Sequence, residues 1–342
     1  MRFGFAVKVL GRPGLPSHDT RRWQSEPDLG TSISYLHRIF DYLEETDIHM
    51  YRMASGIAPY ASHPGMPQFR DQPDRFADEL QRLGERARSL DIRLSTHPGQ
   101  YTVLNSENET TVAAAVEELE VHAEILEAMR LPHESVMILH VGGLAGDRED
   151  AKARFEKGFA KLSEQARSRL AIENDDRLFG LSDVLDISER TGCPVVWDLL
   201  HHHCFDTDDI PDDEALRLAM RTWPEKVIPK MHYSTPKTEL KLVKKKVGRK
   251  TVVVPVTPPL RAHADMIDPI GFEWFLRDVV RDNNVDIMLE AKGKDLALLE
   301  LRRYLAERDL RRNHAEDAPT QRDVDAATNP LTNSESGVGL TP

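Results

Sequence analysis

Histidine and carboxylate side chains stand at the ends of short apolar segments along most of the chain. His97, His140 and Glu173, for example, each lie at the carboxyl end of such a segment. Imidazole and carboxylate ligands without thiolates suit Zn²⁺, Mn²⁺ or Fe²⁺ rather than a structural zinc site or an iron–sulfur centre. The candidate metal ligands are His63, His97, His140, Glu173, Asp198, His201, His232, His263 and Glu290.

This set is larger than one ion can use, so we expect a cluster of roughly two or three divalent ions. Closely spaced ions can activate a water as nucleophile and neutralise the leaving oxygen in phosphoryl transfer. Glu173 is central in chain order and is the predicted bridging carboxylate, while Asp198 and His201 can reach neighbouring ions from one turn. The alternative is a polar pocket without metal, which would leave many buried polar groups uncompensated.

Lys230 and His232 share a face of one predicted strand, which points the Lys230 amine toward the expected metals. As a cation, Lys230 would bind phosphate; after reaction with carbon dioxide, its carbamate would be a metal ligand. We keep both interpretations. Glu173, Lys230 and His232 are the predicted catalytic residues.

The elements that must position these residues alternate between short apolar runs and longer amphipathic stretches. Continuous apolar runs are typical of parallel strands buried on both faces. Strict alternation favours a single α/β domain, a closed (β/α)₈ TIM barrel, over an open doubly wound sheet. In a barrel, the carboxyl ends of the strands meet at one mouth, which would bring the ligands together. The predicted strands are residues 3–9, 48–53, 92–96, 136–141, 170–173, 195–199, 227–232 and 287–290.

Composition sets further limits. The 342 residues suffice for one barrel, which typically needs about 250, and we place the catalytic domain at residues 1–312. The net charge of −12 argues against a general nucleic-acid coat. Two cysteines and no apolar run of bilayer length lead us to expect a cytoplasmic protein without a membrane anchor. Residues 313–342 have no apolar period and are predicted to be a disordered tail.

A basic insertion at residues 236–260 interrupts the alternation after the seventh predicted strand. Residues 237–250 are rich in Lys and Arg with Glu239 as the only acid, and an apolar run follows a turn at 247–249. This pattern predicts a β-hairpin. Two interpretations are equally supported: a solvated hairpin, or salt-sensitive phosphate contacts. The residues assigned to the second are Lys244, Lys245, Lys246 and Arg249.

Eight stretches of the sequence carry a resemblance to a known family. They are residues 59–64, 97–101, 139–143, 172–177, 197–202, 230–232, 261–265 and 289–294. Taken together, they make the chain resemble the UV damage endonucleases, a family with an endonuclease IV-like barrel, from Phe3 to about Lys294. The resemblance implies a manganese-favouring three-metal site, with Zn²⁺, Co²⁺ or Mg²⁺ as alternatives. It also implies a nick immediately 5′ of cyclobutane pyrimidine dimers, 6-4 photoproducts and some abasic sites.

The resemblance also implies how damaged DNA is gripped. Gln100 and Tyr101 would probe the duplex while the damaged dinucleotide is turned out of the stack. Phe5 stands where the family often has a tyrosine used against DNA, so stacking could persist without the hydroxyl. The loop at residues 10–29 departs from the family pattern. The expected partner is double-stranded DNA carrying UV lesions, bound by a monomer that needs no protein partner.

Three other functions remain open at this point. A sugar isomerase or epimerase uses a similar barrel and metal site, but it predicts a small enclosed pocket and needs no basic hairpin. An endonuclease IV-like enzyme would share the chemistry and differ in cutting only at abasic sites. A non-catalytic damage-binding protein would keep its metals for structure alone.

Overall fold

The computed structural model of the chain describes residues 1–248 and 250–316, and residues 1–300 form one compact unit. Short parallel strands and helices alternate through this unit, with an antiparallel hairpin inserted late in the chain. The strands are β1 (Phe3–Ala6), β2 (Met50–Arg52), β3 (Arg93–Ser95), β4 (Met137–His140), β5 (Leu170–Glu173), β6 (Val195–Asp198), β7 (Lys230–Tyr233), β8 (Lys241–Val247), β9 (Lys250–Val256) and β10 (Asp286–Leu289).

The helices lie between these strands and follow them. They are α1 (Leu29–Glu45), α2 (Gln72–Arg75), α3 (Ala77–Ser89), α4 (Glu109–Ala128), α5 (Arg148–Phe159), α6 (Glu164–Arg169), α7 (Leu181–Thr191), α8 (Leu199–Cys204), α9 (Asp212–Arg221), α10 (Pro269–Phe275) and α11 (Lys294–Glu316). Two single 3₁₀ turns, Trp23–Ser25 and Pro67–Phe69, and a π-helical turn at Leu276–Val280 complete the set.

The parallel strands form an eight-stranded sheet in the order β3-β2-β1-β10-β7-β6-β5-β4. Its two outer strands meet through a parallel bridge between Thr96 and Met137. The Thr96 amide donates to the Val136 carbonyl at 3.1 Å, and the Ile138 amide donates to the Thr96 carbonyl at 3.0 Å. The sheet therefore curls into a barrel, as predicted, rather than remaining an open doubly wound sheet.

Local sequence explains where the elements begin and end. All residues of β5 and β6 are buried, as expected for strands covered on both faces. Asp268 caps α10 by accepting from the Ile270 amide, with Pro269 in the first turn, as the sequence predicts. β1 is shorter than predicted because Val7 has a φ of 69°, which a strand cannot continue.

The basic insertion forms the predicted hairpin. β8 and β9 pair over their full lengths, from Lys241 opposite Val256 to Val247 opposite Lys250, and Gly248 has a φ of +61° in the turn. The hairpin shares no ladder with the barrel sheet. An antiparallel bridge between Pro236 and His263 joins the two chain segments at its base.

Helix α11 continues to Glu316, so residues 313–316 of the predicted tail are helical. The rest of that tail, residues 317–342, lies outside the described residues, as does Arg249 in the hairpin turn. Within the described ranges, no helix combines the length and apolar character needed to cross a bilayer.

Candidate metal centre

The strand ends bring most of the predicted ligands into one cluster at the carboxyl mouth of the barrel. Three groups of side chains each place their ligand atoms within 4.8 Å of one another. Glu173 belongs to the first two groups, and Asp198 belongs to the last two. Two buried carboxylates therefore link the groups into one chain. The groups are His97 with His140 and Glu173, Glu173 with Asp198 and His201, and Asp198 with His232 and Glu290.

Glu173, at the end of β5, is the centre of this arrangement and is 1% exposed. Its Oε2 lies 3.1 Å from His97 Nε2 and 3.6 Å from His140 Nε2. Its Oε1 lies 2.8 Å from His232 Nδ1 and 3.5 Å from His201 Nδ1. Four imidazoles from four barrel segments thus surround one carboxylate, which is the position predicted for a bridging ligand.

Asp198 has two functions in the structure. Its Oδ1 accepts from the His201 amide at 2.8 Å and so caps α8, which places the His201 ring in the first turn of that helix. Its Oδ2 is buried without a hydrogen-bond partner among residues 1–248 and 250–316, as are His140 Nδ1 and His232 Nε2. Buried polar atoms are normally satisfied, and these are nitrogen and oxygen atoms of the kind that bind divalent ions. The donor set therefore fits a metal cluster.

The charged groups of the cluster shift one another's pKa values. Burial works against the ionised form of Glu173, but the neighbouring His232 and His140 hold its pKa well below the ordinary value. Burial raises the pKa of Asp198 even though His201 lies next to it. For His201, burial alone would lower the pKa, but Asp198 and Glu173 raise it to about 9. Carboxylates of this kind favour any added cation in the same space.

Lys230 lies on β7, two residues before His232, as predicted. It is 2% exposed, and its Nζ donates to Ser95 Oγ at 2.5 Å. Burial, together with the charges of Arg93 and Arg52, lowers the pKa of Lys230 well below its ordinary value. The structure therefore holds a buried amine that favours the neutral form at this position.

Two further residues belong to the site, although we did not predict them. Arg52, at the end of β2, pairs with Glu290 Oε1 through Nη1. Asn174 joins the ends of β5 and β6: its Nδ2 donates to the Asp198 carbonyl at 3.0 Å, and its Oδ1 accepts from the Asp198 amide at 2.8 Å. Both stand at or next to strand ends, which is the sequence signal that could have identified them.

The two remaining predicted ligands lie at different places. His263 borders the cluster, with Nδ1 3.7 Å from Glu290 Oε2 and donating to the Glu290 carbonyl at 2.7 Å. His63 is in none of the three groups. Its Nδ1 accepts from the Gly65 amide at 3.1 Å, and it lines another cavity of about 350 Å³ with Pro67 and Thr110. Its assignment as a ligand stays a prediction.

The predicted DNA-contacting residues also differ in their surroundings. Gln100 is exposed beside the cluster and lines a cavity of about 320 Å³ with His97, His140, Arg52 and Glu290. Tyr101, the next residue, is 83% exposed.

Phe5 requires a correction. It is fully buried, and its ring packs edge-on against Tyr51 at a centroid distance of 5.4 Å. Phe5 lies opposite Tyr51 in the β1–β2 pairing, on the side of the sheet away from Arg52 and the cluster, so this buried ring offers no surface for stacking on a base.

Comparison with known proteins is consistent with this site. A family model described as UV-endonuclease UvdE matches residues 19–317. A protein of Clostridium perfringens (strain 13 / Type A) named UV DNA damage endonuclease is 34% identical over 271 residues, or 79% of this chain. The match spans 61% of that relative's length.

Two solved structures are similar to this chain, one in sequence and fold and the other in fold alone. The crystal structure of SacUVDE is 31% identical, with a TM-score of 0.74, over 90% of this chain and 99% of that one. The structure of an L-ribulose 3-epimerase is 15% identical, with a TM-score of 0.51, over 84% of this chain and 93% of that one. The second likeness concerns the fold alone.

Proposed function

The chain belongs to the UV-endonuclease UvdE family, and on that premise we propose that it is a metal-dependent DNA repair endonuclease. Its substrate is duplex DNA with UV photoproducts, both cyclobutane pyrimidine dimers and 6-4 photoproducts, or with some abasic sites. It nicks the backbone immediately 5′ of the lesion. The observation that supports this most is the chain of three ligand groups linked by Glu173 and Asp198 at the open mouth of the barrel.

The residues of the cluster would hold a group of divalent ions, with manganese as our first choice and zinc, cobalt or magnesium as alternatives. Such ions supply charge neutralisation and a nucleophilic water for attack on a phosphodiester. The Asn174 carbonyl fixes the His201 ring by accepting from its Nδ1 at 3.0 Å, and the Asn174 side chain holds the β6 end. His232, fully buried against Glu173, excludes solvent from one side of the cluster.

Gln100 and Tyr101 are well placed to act on the damaged duplex. A photodimer is already poorly stacked and paired, so turning it out of the helix costs less than extruding normal bases. An exposed aromatic ring beside an amide can occupy the space that the dinucleotide leaves. The 83% exposure of Tyr101 leaves its ring accessible to a bound duplex, as this role requires.

Lys230 is proposed to react with carbon dioxide and become a carbamate ligand. Burial argues against the alternative in which its cation binds phosphate, and a lowered pKa provides the neutral amine that attacks carbon dioxide. Protein incubated with carbon-13 bicarbonate should show a carbamate resonance that is absent from Lys230→Arg. An unchanged spectrum in that variant would refute the assignment.

The hairpin lysines are proposed to attract DNA phosphates toward the cluster, some by direct contact and the others at longer range. Lys244, Lys245 and Lys246 lie on β8, whose residues are exposed along its whole length. Because the overall charge is −12, such local positive charge is needed for a duplex to approach. The same proposal places the protein in the cytoplasm, in association with DNA.

The decisive experiment incubates the protein and manganese with labelled duplexes that carry one defined dimer, one abasic site or no damage. We expect a nick directly 5′ of the dimer, and none with Glu173→Ala. Glu225→Ala, a change at an exposed residue before β7, is the matched control and should cut like the wild type. Cutting at the abasic site alone would identify an endonuclease IV-like enzyme. No cutting with any metal would reject the proposal and turn attention to sugar substrates.

A further inference from the structure

The β8–β9 hairpin has two chemically different faces. Alternate residues of a strand point to opposite sides, and directly paired residues share a side. With the observed register, one side, here called the cleft face, carries three lysines and five valines; the other is called the outer face. The cleft face consists of Lys241, Val243, Lys245, Val247, Lys250, Val252, Val254 and Val256, and the outer face of Leu242, Lys244, Lys246, Thr251, Val253 and Pro255. Lys244, Lys245 and Lys246 therefore do not form one patch.

The cleft face borders a cleft of about 610 Å³ between the hairpin and the barrel. On the hairpin side, Lys241, Val243 and Val256 line it, and no outer-face residue does. The barrel side includes Ala262 and Lys292. Ala262 directly precedes His263, and Lys292 follows Glu290 by two positions, so the segments that line the cleft also carry two residues of the candidate metal centre.

The charge around this cleft is mainly positive. Among the described residues that line it, Lys237, Lys241 and Lys292 are basic and Glu239 is the only acid. Lys237 is partly neutralised, since its Nζ lies 3.3 Å from Asp265 Oδ1. Across residues 1–248 and 250–316, by contrast, Lys241, Lys245 and Lys250 take part in no ion pair. Their charges are available to a ligand.

The valines of the cleft face are also left in solvent. Val247 is 59% exposed and Val256 is 44% exposed. A lone two-stranded hairpin is marginal in water, and apolar side chains in such a ribbon gain stability when a partner covers them. A polyanion with apolar sugar faces would pair with the lysines and cover the valines. A two-stranded β-ribbon also fits a DNA groove.

We propose that the cleft face binds the sugar–phosphate backbone of undamaged duplex beside the lesion, so that the hairpin sets affinity for DNA independently of damage. This inference rests on the proposed function, because it places the duplex across the metal centre. Lys241, Lys245 and Lys250 contact phosphates, while the valines pack against sugars. Lys244 and Lys246, on the outer face, contribute only long-range attraction.

The test compares two variants of the same strand that lose the same charge. Lys241→Gln/Lys245→Gln changes the cleft face, and Lys244→Gln/Lys246→Gln changes the outer face. Binding to an undamaged labelled duplex is measured by fluorescence anisotropy over a range of salt concentrations. We expect the cleft-face variant to bind about tenfold more weakly and to reduce the salt slope by about two, since each phosphate contact contributes about 0.9. The outer-face variant should change the affinity less than about threefold.

Every other outcome overturns the inference. Equal weakening by the two variants would mean that the hairpin acts through net charge alone. Unchanged binding by both would exclude DNA, and a change in sedimentation instead would show that the face binds a second copy of the chain. Lys241→Arg/Lys245→Arg should restore the salt slope, which separates lost contacts from misfolding; no restoration would count against phosphate contact.

The same duplexes with a dimer keep this inference separate from the proposed function. A wild-type protein that nicks beside the dimer while both hairpin variants bind normally would reject only the cleft-face assignment. A face-specific binding defect in a protein that nicks no duplex would reject only the nuclease assignment.

Discussion

At the scale of single residues, Asp198 connects helix geometry to metal chemistry. One of its oxygens caps α8 and the other is buried without a hydrogen-bond partner among the described residues. The cap needs only an acceptor, whereas a metal needs negative charge. These two requirements can be separated by an isosteric change.

Asp198→Asn should keep the helix cap and lose metal. We expect the variant to retain its circular dichroism spectrum and to bind about one ion fewer per chain, because an amide is a poor replacement for a carboxylate ligand. Metal content after dialysis, measured by inductively coupled plasma mass spectrometry, checks this. Asp282→Asn, at an exposed position, is the matched control. Full metal content in Asp198→Asn would show that its unpaired oxygen is not a ligand.

Metal binding should release protons below pH 9. The pKa of His201 is raised to about 9 by Asp198 and Glu173, so without metal the ring is an imidazolium at neutral pH. A ligand nitrogen must be deprotonated, and the affinity therefore rises with pH until His201 is neutral. Calorimetric titrations in buffers of different ionisation enthalpy measure the proton count. Equal heats in all buffers at pH 7 would contradict this reading of His201.

At the scale of elements, the barrel strands position ligands through their paired ends, and helices hold the loops beyond them. Glu118, on α4, accepts a hydrogen bond from Ser62 Oγ in the loop after β2 and lies 3.4 Å from His122 Nε2. Ser62 is the neighbour of His63, so this contact ties a candidate ligand's loop to α4. The hydrogen bond is made to a carboxylate, so it should respond to acid.

Glu118→Gln should lower the free energy of unfolding most at pH values above the acid range. Burial would raise the pKa of Glu118, but His122 and Ser62 hold it below the ordinary value. A carboxyl group whose pKa is lower in the folded state stabilises the protein fully at pH values above its unfolded-state pKa. That stabilisation is lost as the pH falls through the folded-state pKa. We expect a loss of about 1 kcal/mol in the free energy of unfolding at pH 7, narrowing below about pH 4. Urea unfolding measures it with Glu107→Gln as the exposed control; a constant difference at all pH values would argue against an ionised Glu118.

Strand ends could be predicted from sequence because buried parallel strands read as apolar runs and ligands follow them directly. Glu173, Asp198 and Glu290 were identified in this way, and they lie in the predicted cluster. Arg52 and Asn174 were missed because their partners, Glu290 and Asp198, come from other strands, and the sequence does not show which strands are neighbours in the sheet. The prediction that Phe5 contacts DNA was wrong because its ring is buried. One residue type does not reveal which side of a strand faces the barrel interior.

At the scale of the whole molecule, the chain is acidic, whereas the hairpin inserted after β7 is basic. The chain has 57 acidic and 45 basic residues, yet every charged residue of β8 and β9 is a lysine. The composition indicated this contrast, but not which lysines share a face, since that depends on the register of β8 and β9. Salt should therefore weaken DNA binding while leaving the buried cluster intact.

The proposed function depends most directly on the metal cluster. Anomalous diffraction from crystals grown with manganese would test whether the cluster forms. We predict anomalous peaks within the three ligand groups, with Glu173 and Asp198 each between two neighbouring ions. Such peaks would establish the bridged cluster on which the proposed nick depends. Crystals that bind manganese only elsewhere, or none at saturating concentration, would contradict it, and the histidines around Glu173 would then be a hydrogen-bonded polar core.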